Sequence, residues 1–115
     1  MTIETTLETV LRTTGKSVYP LGLPEKPTFP AIVYQRISSV PKKTHNTLGL
    51  EVARFQVTVW SNLYSAVVAT TASVIAALDL NQTNFVLGYK LNQTDLKEAE
   101  TGLYASYIDF SIWYS

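Results

Sequence analysis

One stretch, residues 51–80, constrains the fold more than any other, because its hydrophobic period changes in mid-run. In Glu51-Val-Ala-Arg-Phe-Gln-Val-Thr-Val-Trp60, Ala53, Phe55, Val57 and Val59 alternate with Arg54, Gln56 and Thr58. A period of two belongs to a strand with one buried face. Beyond Ser61-Asn62, Tyr64, Val67, Val68, Thr71, Val74, Ile75 and Leu78 recur at three- and four-residue spacing, which is one stripe of a helix. The remainder of the chain has to pair with this strand or pack beside this helix.

Taken in order, residues 2–14 read as an amphipathic helix with Ile3, Leu7, Val10 and Leu11 on one face, Thr2 as N-cap and Gly15 as its stop. Residues 16–30 carry Pro20, Pro24, Pro27 and Pro30, so neither a helix nor an inner strand is expected there. A β-branched strand follows at 31–37, then a polar tip over 41–49. After the helix, Phe85, Leu87, Tyr89 and Leu91 alternate with Val86, Gly88, Lys90 and Asn92 as a third strand. Residues 95–102 read as a charged turn, and 103–114 as a fourth strand. The expected architecture is a single α+β domain over 1–115. It is a two-layer sandwich, with a mainly antiparallel four-stranded sheet and both helices on one face, in the order α-β-β-α-β-β. The opposite sheet face then shows Arg54, Gln56, Thr58, Trp60, Tyr107 and Trp113, a polar surface studded with large aromatics that a monomer rarely leaves bare.

The chain offers little for catalysis. It has nine basic and nine acidic side chains and no cysteine, which removes thiolate chemistry, disulfides and any overall attraction for nucleic acid. His45 is its one histidine, with no Asp or Glu within several residues, so it reads as a solvated loop residue and not a metal ligand. No Gly-x-Ser-x-Gly elbow and no glycine-rich phosphate loop occurs. Glu98 and Glu100 fall in the most polar turn, where carboxylates are ordinarily solvated. Lys42, Lys43 and His45 form a small basic tip, too few charges for a nucleic-acid site. No catalytic, cofactor or metal residue is expected. The acidic N-terminus lacks the look of a signal peptide, and no run is apolar enough to span a bilayer, so the expectation is a cytosolic product with no membrane partner. Contact residues are sought instead at Lys42, Lys43, His45, Arg54, Gln56, Trp60 and Trp113, because Tyr, Trp and Arg are what interfaces favour.

The proline-rich loop ending in Phe29-Pro-Ala-Ile-Val-Tyr-Gln-Arg36, the strand Ala53-Arg-Phe-Gln-Val-Thr-Val-Trp60 running into an alanine-rich helix, and the closing Leu103-Tyr-Ala-Ser-Tyr-Ile-Asp-Phe-Ser-Ile-Trp-Tyr114 together resemble the small tail-completion, or tail-terminator, proteins of long-tailed bacteriophages. The resemblance covers nearly the whole chain and lies in the order of elements. It implies a non-enzymatic virion part at the head-proximal end of the tail, made in the host bacterial cytoplasm. Such a part forms a ring with copies of itself, commonly a hexamer, and binds the major tail tube protein and the head connector or head-completion protein. DNA passes through such a ring without being read in sequence. A ring needs two different complementary patches on each subunit. The aromatic sheet face and the loops 16–30 and 41–50 are the candidates. A head-closure or minor tail protein is the alternative within the virion, and a small ligand-binding domain is the alternative outside it.

Overall fold

The computed structural model describes residues 3–41, 51–82, 85, 87–97 and 102–114. The elements are α1 (Ile3–Arg12), β1 (Ser17–Pro20), β2 (Ala31–Pro41), β3 (Glu51–Ser61), α2 (Tyr64–Leu78), β4 (Leu87–Lys97) and β5 (Tyr104–Tyr114). The strands form one sheet in the order β1-β2-β3-β5-β4. β1 runs parallel to β2, and every other pairing is antiparallel.

α1 buries Ile3, Leu7, Val10 and Leu11, the four positions that the helical spacing selects. Its last carbonyls are closed by side chains: Thr13 Oγ1 donates to the Val10 carbonyl at 2.6 Å and Thr14 Oγ1 to that of Leu11 at 2.7 Å. Gly15 then takes a φ of +79°, the left-handed conformation that ends helices and that a side chain resists. β3 is the spine of the sheet, flanked by β2 and β5, and its register with β5 is unbroken from Glu51↔Tyr114 to Ser61↔Tyr104. Ala53, Phe55, Val57 and Val59 are buried, as the alternation requires, and meet Ile32 and Tyr34 of β2, Ile108, Phe110 and Ile112 of β5, and the apolar faces of both helices in one core. The two helices therefore share a face of the sheet.

Three expectations are corrected. The sheet has five strands and is mixed, because Ser17–Pro20 joins its edge beside Ala31–Tyr34. A four-residue strand is too short to show a period, and Pro20 is tolerated at its last position on an edge. The third strand runs to Lys97, so residues 95–97 belong to β4 and not to a turn. Their polarity reflects an open edge. The stripe of α2 also sits at a different angle: Val67, Thr70, Thr71, Val74 and Leu78 are buried, whereas Tyr64 and Val68 face outward.

The chain has little slack where α2 meets β4. A Cβ on Gly88 would lie 2.8 Å from the Leu78 carbonyl oxygen and 3.2 Å from Ile112 Cδ1, so the helix end rests directly on the strand. Gly88 N–H donates to the Asn81 carbonyl, and Asp79 Oδ1 accepts from Lys90 N–H at 2.9 Å, tying the return of the chain to the start of β4.

Candidate functional site

The sheet face away from the helices carries Arg54, Gln56 and Trp60 of β3 with Tyr107, Asp109 and Trp113 of β5. Arg54 is the exposed member of the expected contact set, and Gln56, Trp60 and Trp113 are half-buried. Arg54 Nη2 lies 3.4 Å from Asp109 Oδ2 on the diagonal of the β3–β5 ladder. An exposed pair of this kind contributes little to stability. The Trp60 and Tyr107 rings meet edge to face with centroids 6.1 Å apart. Trp113 pairs in register with Val52 and Trp60 with Ala105, so the two tryptophans occupy opposite ends of the sheet. Lys42, Lys43 and His45 lie outside the described residues.

This face is less bare than its residue types suggest. The segment after β1 folds over it, anchored where Leu21 N–H donates to the Tyr34 carbonyl at 2.9 Å and Tyr19 Oη accepts from Thr28 N–H at 3.1 Å. That last bond draws the Tyr19 pKa below its usual value. Thr58, expected at the surface, is buried beneath the cover. What remains is a half-open cavity of about 360 Å³ between Leu21, Leu23, Gln56, Trp60, Leu103 and Tyr107. Its lining holds no titratable group except a tyrosine, so it offers shape and hydrogen bonds but no acid–base pair. Among the described residues, no three His, Cys, Asp or Glu side chains gather as a metal site.

A second surface, which the residue pattern did not single out, lies where α2 flanks β4. An apolar groove of about 320 Å³ is lined by Tyr64, Val67, Val68, Thr71, Ala72, Ile75, Gln93 and Asp95. Tyr64 closes one end by donating its hydroxyl to Asp95 Oδ2 at 3.0 Å, and that bond raises the tyrosine pKa. Tyr104 packs against Tyr64 at 5.5 Å, with Lys97 Nζ above the Tyr104 ring. Residues 90–97 of β4 are exposed without interruption. The signal available in the sequence was the absence of any charged residue over residues 55–78. A helix with an outward face ordinarily places charges there.

The exposed large hydrophobic side chains divide between the two lateral margins of the molecule. Leu21 and Ile37 lie at the β1–β2 margin, and Leu63, Tyr64, Val68, Leu80, Leu91 and Leu96 at the α2–β4 margin. At the first margin Arg36 Nη2 pairs with Glu4 Oε1 at 2.6 Å and stacks over the Phe55 ring. Close by, Tyr34 Oη donates to Glu8 Oε1 at 2.9 Å.

Comparison with known proteins finds, among its matches, a family model and a solved structure. A family model described as tail completion protein gp17 matches residues 6–115. The solved structure of the virion of a native gene transfer agent particle contains a chain that superposes with a TM-score of 0.65. That match has 13% sequence identity and covers 96% of this chain and 92% of the other. At that identity the likeness is one of fold. No curated protein matches the chain.

Proposed function

This chain belongs to the tail-completion gp17 family, structural proteins of phage virions, and from that premise we propose that it is the subunit that ends the tail tube and joins it to the head connector. It acts at the head-proximal end of the tail as a ring of identical copies, commonly six in this role, with the tube protein on one side and the connector or head-completion protein on the other. The reading is non-catalytic: the work is recognition and closure.

The observation that carries the reading is the family match, which extends over nearly the whole chain. Two features of the molecule agree with it. The exposed apolar side chains lie on two different margins, and a ring consumes two different patches per subunit. A neutral chain also lacks the self-repulsion that would keep copies apart.

Co-sedimentation of the purified protein with tail tubes, and separately with connector complexes of the same phage, tests this reading. Binding to both is expected. Binding to the connector alone would instead make it a head-closure part, and binding to neither would overturn the joining role.

A further inference from the structure

We infer that the groove between α2 and β4 receives the β2 edge of a second copy of this chain, so that the Leu21–Ile37 margin of one subunit docks on the Tyr64–Val68–Leu96 margin of the next. The inference rests on the self-assembly part of the reading above and assigns the surfaces that carry it.

Both margins of the sheet are open. β1 covers β2 only from Ala31 to Tyr34, and no strand among the described residues borders β2 beyond that point on its outer side. On β4 the outer side is engaged at Gly88 and Lys90, and no strand among the described residues borders it from there to Lys97. An open edge presents unpaired N–H and C=O groups. Besides charged side chains, Arg36 on β2 and Lys90, Asp95 and Lys97 on β4, each open edge carries a β-bulge whose extra residue is an exposed aliphatic: Ile37 in β2, between Arg36 and Ser38, and Leu91 in β4, between Lys90 and Asn92. Bulges re-aim side chains at sheet edges.

The α2–β4 margin has the shape of a receptor. The exposed stripe of α2 consists of Tyr64, Ser65, Val68, Ala69, Ala72, Ser73 and Ala76, without a charge, so a partner backbone can approach closely. The groove volume of about 320 Å³ accommodates aliphatic side chains, since a cavity of about 150 Å³ already takes a benzene-sized group.

Strand direction selects the second copy as the occupant. Successive antiparallel pairings of β2 with β3, β3 with β5 and β5 with β4 leave β2 and β4 running in opposite directions. A neighbour in the same orientation therefore brings its β2 antiparallel to β4, the better-bonded ladder. The contact joins two different patches, so it passes from copy to copy and closes when the rotation per subunit allows.

The chain has no cysteine, so paired cysteines report the contact without background. Ile37→Cys and Leu96→Cys variants are prepared singly and as a double variant, then treated with a short bismaleimide under conditions where light scattering or electron microscopy registers assembly. An intramolecular link is excluded, because the two edges are separated by three strand spacings of about 4.8 Å each, with the body of the sheet between them. Cross-linked dimers from the mixed singles, and a ladder of higher oligomers from the double variant, are the expected result. Val68→Asp, on the exposed stripe, should keep the thermal midpoint of the subunit and raise the concentration for half-assembly by about tenfold or more, because it buries an unpaired charge in the contact. Assembly without these cross-links and unaffected by Val68→Asp would overturn the inference and leave the tail-completion reading standing. Self-linking of Ile37→Cys alone would overturn it in favour of a two-fold contact. A chain that never assembles, with or without tubes, would overturn both.

Discussion

Tyr34 shows how one residue ties the two layers together. Its ring is in the core, and its hydroxyl donates to Glu8 of α1 at the margin. Burial, followed by the hydrogen bond to the Glu8 carboxylate, pushes its pKa up to about 12. Because the folded-state pKa lies above the ordinary value of 10.0, the bond's contribution is fully present below pH 10 and is lost as pH rises toward about 12. Tyr34→Phe should therefore cost about 1 kcal/mol near neutral pH, the net value of such a bond at a half-buried site. It should also flatten the fall in stability across the same alkaline window. Urea unfolding of both proteins from pH 7 upward checks this, and an identical alkaline slope in the variant would contradict it. Residue types alone did not reveal the bond, because Tyr34 and Glu8 are brought together only by the packing of α1 on β2.

At the scale of the element, legibility followed local period. β3, β5 and α1 each repeat an apolar pattern long enough to identify them, and it selects their core residues, although Thr58 of β3 and Ala105 and Ser111 of β5 are buried on the other face. β1 has four residues and no pattern to read. β4 loses its alternation because it is an edge strand whose later residues are solvated, so the chain looks like a turn where it is still paired with β5. α2 is apolar nearly all round, which hides which side is buried and places Tyr64 and Val68 on the wrong face when spacing alone is used. The contact surfaces were legible to a smaller degree. Arg54, Gln56, Trp60 and Trp113 do lie on the outer face, but a fold-back of the chain shields part of it, and such long-range cover has no local signature. The exposed β4 edge carries an expected outcome of its own. In the free subunit, amides of residues 92–97 that point away from β5 should exchange with solvent at least tenfold faster than those of β3, because few buried contacts hold that edge. Equal protection of β4 and β3 in the free subunit would contradict the open edge.

For the whole molecule, the chain is extended, 48 Å along its long axis against 24 and 23 Å across, with the apolar side chains it leaves exposed gathered at the margins of the sheet. That distribution suits a part completed by its neighbours better than one completed by a small ligand. The family membership supplies the setting, and the two unlike margins supply a physical means of self-association. The most direct test of the joining role is electron microscopy of tail tubes grown from purified tube protein with and without this chain. The account predicts tubes of limited length with a ring of extra density at one end of each when the chain is present. Tubes that grow to the same lengths with bare ends, in the presence of folded protein, would contradict it.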